Sequence, residues 1–214
     1  MNNQEIFNEI DTHLLEDEKP SIFLRTLFNN NSLKGTVFHK IERLATIEQS
    51  PKYHPEGNVL NHVMLVVDEA ANLRSKSTDK RALMWAALLH DIGKLTTTKM
   101  RNGRWTSYNH DSVGSEMVVD FIRPFEEDHQ FIEKVSNLVK YHMHYLYVEK
   151  NLPFANIKGL IMDTSIDEIA LLSYADRCGR GELSEKDRIN TEIAINNFKS
   201  KLNSKKEKMS LQTV

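Results

Sequence analysis

What most narrows the folds open to this chain is a helical repeat of apolar residues that runs, in five separate segments, into a histidine or an aspartate. Val59, Val63, Val66, Val67, Ala70 and Leu73 form one stripe, and His62 lies within it. Leu83, Ala86 and Ala87 continue into His90, and Ile132, Val135, Leu138 and Val139 continue into His142. Ile169, Leu172 and Ser173 lead to Asp176, while Val113, Met117 and Phe121 follow His110 on one face. A stripe with this period faces the core of a helical protein. Five helices are therefore expected to aim an ionisable group inward. Burying such groups together is costly unless something compensates them. A divalent cation does so, because carboxylate oxygens and imidazole nitrogens become its ligands. A mixed His/Asp shell suits Mn, Fe, Co, Ni or Zn, and Mg less comfortably. Each residue also has a plainer reading, as a hydrogen-bonded core histidine or, for Asp176, a helix-end partner of Arg177 or Arg180. The coincidence of all five favours the metal.

The fold class expected is all-α, a helical bundle with a small β-hairpin near 96–108. Helices are expected over 3–15, 20–29, 36–47, 59–74, 78–90, 110–122, 128–144, 153–162, 165–177 and 184–201. Asn58 and Thr78 are the expected caps of the two that carry His62 and His90. Ser165 with Glu168 reads as a capping box, and Gly93 as a helix C-terminal glycine. Asn102-Gly103 between Thr96–Arg101 and Arg104–Tyr108 is the hairpin signal. Residues 1–50 read as a small N-terminal helical lobe, 51–203 as the main domain and 204–214 as a frayed, flexible tail. His54 reads as structural, and His144, two residues beyond His142, as exposed.

Composition excludes several classes. No apolar run approaches the ~20 residues that cross a bilayer, so no membrane partner is expected. The acidic N-terminus fits neither a signal nor a transit peptide. The lone Cys178 has no internal partner for a disulfide, which suits a reducing, cytoplasmic setting. A net charge of -2 argues against a broad nucleic-acid-coating surface. Oligomeric state, a homo-oligomer included, stays open.

His62, then His90-Asp91, then Asp176 resembles the H…HD…D signature of the HD-domain metal-dependent phosphohydrolases. The Leu89–Lys94 segment, the hairpin around Asn102-Gly103, Asn109–Gly114, Tyr53–Val59 and Ser173–Arg177 are similar to the HD region of bacterial tRNA nucleotidyltransferases (CCA-adding enzymes), and Pro20-Ser21 is similar to their neck. The resemblance spans roughly 15–182. No Gly-Ser pair with a following D-x-D precedes the neck, so nucleotide addition to tRNA is not expected of these residues. The resemblance implies a first metal held by His62, His90, Asp91 and Asp176. It implies either a second metal at His110 and His142, with Asp91 bridging, or phosphate contact by those histidines. The implied activity is hydrolysis of a phosphomonoester or cyclic phosphodiester of a nucleotide or RNA end. Asp91 and Lys94 are the candidate catalytic residues. Lys94 is a candidate electrophile for the phosphate, or else a solvated lysine at a helix end. Arg177 and Arg180 either bind a further phosphate or anchor Asp176. Arg101, Arg104, Trp105 and Tyr108 give the hairpin a mixed aromatic and cationic surface, for a base or for packing. The contrasting function is a non-catalytic RNA-binding or scaffold module, which has no need of all four ligands together with Lys94.

Overall fold

The longer helices around the centre mostly start where a side chain can accept a free N–H. In the computed structural model, which describes residues 2–28 and 33–211, Asn58 caps α4 (Val59–Leu73) by accepting from the Asn61 amide. The expected cap at Thr78 falls instead to Asp79, whose carboxylate accepts from Ala82 N at the start of α5 (Lys80–Leu89). Thr78 is engaged elsewhere, donating both N–H and hydroxyl to buried Glu168. Glu168 therefore does not close a capping box on Ser165, although Ser165 does cap α11 (Ile166–Cys178). The carboxylate instead ties α11 to the entry of α5.

The molecule is mostly helical, with one two-stranded antiparallel hairpin. Helices α1 (Asn3–Glu16), α2 (Pro20–Leu27) and a short α3 (His39–Glu42) precede the connector. The helix expected over 36–47 is thus only α3 followed by a 3-10 turn at Arg43–Thr46. After α5 come α6 (Lys94–Thr97), β1 (Lys99–Arg101), β2 (Arg104–Thr106) and α7 (His110–Ile122). Asn102 and Gly103 both have positive φ, as a two-residue primed turn requires. The helix expected over 128–144 divides into α8 (His129–Tyr141) and α9 (His144–Glu149), and α10 begins at Ile157, capped by Asn156 rather than opening after Pro153. The final helix α12 (Glu185–Leu211) is capped by Ser184 and continues through 204, where a frayed tail is expected, with side chains largely exposed. Residue 29 of the expected second helix and residues 212–214 of the tail lie outside the described residues.

The core is built on α5, which is buried from Ala82 to Leu89. Phe7 of α1 stacks on Trp85 at 4.5 Å, and Trp85 donates its indole N–H to Asp11 at 2.6 Å. Arg81 clasps the same Asp11 and reaches Glu126. On the other side α4 packs between α5 and α11, and α7 lies along α8. Gly93 has an ordinary right-handed conformation, so it is not the left-handed cap expected of it. Its role is proximity: a Cβ there would stand 2.1 Å from His110 O and 2.7 Å from Gly114 N. Two glycines thus let the turn after His90 touch the backbone of α7.

Candidate metal centre

This packing brings the ends of α5, α7, α8 and α11 and the first turn of α4 to one place. His62, His90, Asp91, His110, His142 and Asp176 are all buried there. Asp91 stands at the middle and divides the histidines between its two oxygens. Oδ2 lies 3.4 Å from His90 Nε2 and 3.9 Å from His62 Nε2, and forms an ion pair with Lys94 Nζ at 2.7 Å. Oδ1 lies 3.3 Å from His110 Nε2 and 3.9 Å from His142 Nε2. His62, His90 and Asp91 are close enough together to hold a metal ion, and so are Asp91, His110 and His142. Asp176 falls in neither triad. Its Oδ1 meets His62 Nε2 at 3.1 Å, and Arg180 holds the carboxylate from the other side at 3.1 Å.

The imidazoles are fixed from behind. His90 Nδ1 donates to Ala87 O, His110 Nδ1 to Ser107 O and His142 Nδ1 to Val139 O, at 2.8, 2.7 and 2.6 Å. A carbonyl only accepts, so each Nδ1 carries a proton and each ring turns its Nε2 to the centre. Burial pushes His142 below the ordinary imidazole value and His110 down to about 4. These rings are accordingly neutral near pH 7, yet their Nε2 atoms face each other at 3.2 Å beside Asp91. His90 Nε2 is buried without a hydrogen-bond partner. Lone pairs facing lone pairs and a carboxylate in a desolvated site repel. A divalent cation turns the conflict into coordination, and this donor set fits one. Second contacts through Nδ1–H are what metal-binding histidines require.

Charge around the carboxylates is arranged to keep them ionised. Burial opposes ionisation of Asp91, but the Lys94 ammonium beside it holds it well below the usual carboxylate range. Asp176 behaves likewise, with Arg180 and His62 overcoming its burial. For His62, burial is overcome by Asp176 and Glu56, which hold the imidazole above its ordinary value. Glu56 was not apparent in the sequence as a site residue. Its Oε1 accepts from both His54 Nδ1 and His62 Nδ1 at 2.9 Å, and Gly179 O accepts from His62 Nδ1 at the same distance. Despite the cost of burial these contacts draw the Glu56 carboxyl down to about 2. Gln49 is the other unforeseen participant, accepting from Lys94 Nζ at 2.8 Å.

The centre forms the floor of a pocket of about 980 Å³. Lys94, Arg177 and Arg180 all line it. Arg180 is committed to Asp176, whereas Arg177 rests over the Tyr145 ring, 5.8 Å from its centroid. His144, expected to be exposed, is buried: α8 ends at Tyr141, and the chain re-enters a helix in a new phase that turns the ring inward. Its Nε2 accepts from Asn156 N. No helix among the described residues is long and apolar enough to cross a membrane.

Comparison with known proteins bears on the same region. A family profile described as HD domain matches residues 59–181. The chain is 32% identical over 129 residues to a multifunctional CCA protein of Methylococcus capsulatus, covering 60% of this chain and 28% of that protein. It is 28% identical over 132 residues to the multifunctional CCA protein of Haemophilus influenzae, covering 61% and 31%. It is 33% identical over 110 residues to that of Alkalilimnicola ehrlichii, covering 51% and 25%. The chain thus spans about a third or less of the length of these relatives.

Proposed function

The chain belongs to the HD domain family, and on that premise we propose that it is a metal-dependent phosphohydrolase acting on a phosphomonoester or cyclic phosphodiester of a nucleotide or RNA end. The observation that carries this reading is the set of buried Nε2 atoms, each fixed from behind through Nδ1–H, that converge on the Asp91 carboxylate. His62, His90 and Asp91 would hold one cation, with Asp176 beside His62. Asp91, His110 and His142 would hold a second. One or two of Mn, Ni, Co, Fe, Zn or Mg suit these ligands.

When bound, such a cation supplies acidification of a water molecule and neutralisation of charge at the phosphoryl oxygens. The chain's own residues do the rest. Asp91 stays a carboxylate and presents one oxygen to each pair of histidines. Lys94, held by Gln49 and Asp91 at the pocket floor, offers a fixed ammonium to negative charge developing on the phosphate. Arg177 is freer than Arg180 to meet a phosphate oxygen, since Asp176 occupies only Arg180.

Residues 51–203 form the catalytic body in this reading. The helices of 1–50 buttress α5, and residues 204–211 continue α12. The setting proposed is cytoplasmic, in keeping with the buried free thiol of Cys178. The relatives' name, with its CCA, supports keeping RNA-end phosphates in the substrate class. Elemental analysis of purified protein, followed by a phosphatase and cyclic-phosphodiesterase screen with Mn, Ni, Co and Mg, tests the proposal. Bound metal with metal-stimulated hydrolysis is expected. Protein that takes up no metal and hydrolyses nothing would instead be a binding module.

A further inference from the structure

Large apolar side chains are rarely left in water where nothing covers them, so the placement of those that are carries information. Among the described residues the exposed large aromatics are Tyr53, Trp105, Tyr108 and Phe154, at 58, 37, 67 and 66% exposure. All of them line the one pocket whose floor is the His/Asp centre. They come from different elements. Tyr53 sits in the connector ahead of α4, Trp105 on β2, Tyr108 in the segment leading to α7, and Phe154 between α9 and α10. Tyr147, also lining the pocket, packs against Phe154 with ring centroids 5.7 Å apart. Arg101 lies over the Tyr108 ring at 4.9 Å, which sets a positive charge behind one of the platforms.

Aromatic faces around a polar floor that carries Lys94 and Arg177 match a ligand that bears flat rings on a phosphate chain. Nucleobases stack on such faces whatever their sequence. A duplex hides its base faces, whereas unpaired nucleotides present them. The pocket's 980 Å³ lies at the upper end of small-molecule sites, which leaves room beyond a single phosphate ester.

We infer that the pocket rim is a base-stacking subsite that takes the unpaired terminal nucleotides of a single-stranded RNA end, with the hairpin aromatics Trp105 and Tyr108 and the loop aromatic Phe154 as platforms. This rests on the phosphohydrolase reading for what happens at the floor, but the subsite is testable without turnover. Trp105 is a partly exposed tryptophan, while Trp85 is wholly buried, so base stacking at the rim is visible as quenching of intrinsic fluorescence.

The test uses the full chain treated with chelator, titrated with a diribonucleotide bearing a 3′-terminal phosphate and, separately, with ribose 5-phosphate. Saturable quenching by the dinucleotide, little by the sugar phosphate, and loss of the signal in W105F are expected. F154A should weaken dinucleotide binding about tenfold. In metal-loaded protein it should lower the preference for dinucleotide over ribose 5-phosphate by a similar factor. Circular dichroism confirms that each variant is folded. Equal response to both ligands, or dinucleotide binding indifferent to F154A and W105A alike, overturns the subsite. Saturable quenching without hydrolysis of any phosphate leaves the subsite standing and removes the phosphohydrolase reading. Hydrolysis without base preference does the reverse.

Discussion

Replacing Gly93 by alanine separates two accounts of that residue, because they differ in sign. If the glycine merely ended a helix in its observed right-handed conformation, alanine would fit and would stabilise by about 0.4–1 kcal/mol through the unfolded chain. The contact geometry says otherwise. The new Cβ would stand 2.1 Å from His110 O, and ordinary contact begins at 3.4 Å, so α7 and the turn must part by about 1.3 Å (3.4 − 2.1). Both obstacles are backbone, so no rotamer change relieves them. Overpacking of this kind costs about 2–3 kcal/mol, which in a chain of this size lowers Tm by roughly 5–10 °C. The displaced residue is His110 itself. A shift near 1 Å at a reacting centre costs about a hundredfold in rate, so kcat/KM should fall by that order. Metal content should fall as well. Differential scanning calorimetry of G93A beside elemental analysis gives both readouts. A Tm equal to or above that of the parent, with full metal content, would refute the close-approach argument.

Three further outcomes follow from the same geometry. D91A should remove both metal uptake and hydrolysis, since the carboxylate touches both histidine pairs; activity and metal content surviving that change would sink the site assignment. E56A should weaken metal affinity by about 10- to 100-fold through loss of the His62 orienting contact, whereas E56Q, which keeps an acceptor for Nδ1–H, should recover most of it in a calorimetric Mn titration. For Asp79, burial is outweighed by Lys134 and the Ala82 amide, so its folded-state pKa is below the ordinary 3.8. Its contribution is therefore present above that value and lost as pH falls below it. D79N keeps the cap but should flatten this acid limb in urea unfolding, while D79A should cost about 1 kcal/mol at neutral pH.

Much of the centre was legible because helices write their inward faces into a 3.6-residue period. His62, His90, His142 and Asp176 stand out as ionisable residues on apolar stripes, and the structure places the three histidines, with His110, around Asp91 and sets Asp176 against His62. Glu56 and Gln49 lay beyond that method. They sit in a connector rich in Pro, Gly and turns, where no period tells inside from outside. His144 turns inward for a related reason: an unbroken helix through His142 would point it outward, but the break after Tyr141 resets the helical phase. Gly93 carried a local signal for a cap, whereas its actual constraint is contact with Gly114 and His110, which no local pattern encodes.

The long reach of His62 has a consequence for how the chain holds itself together. Its ring bonds Asp176 and Gly179, more than a hundred positions further along. Gly179 can come that close only because it lacks a side chain: a Cβ would meet Val66 Cγ2 at 2.5 Å. This clasp closes one of the longest loops in the molecule, and the entropy of closing a loop grows only slowly with its length. Two of the three groups that orient His62 therefore lie far downstream of it, while the third, Glu56, precedes it. A nascent polypeptide that has not yet extended past Gly179 carries the His90-Asp91 turn and Glu56 but lacks the Asp176 and Gly179 contacts that complete the frame around His62.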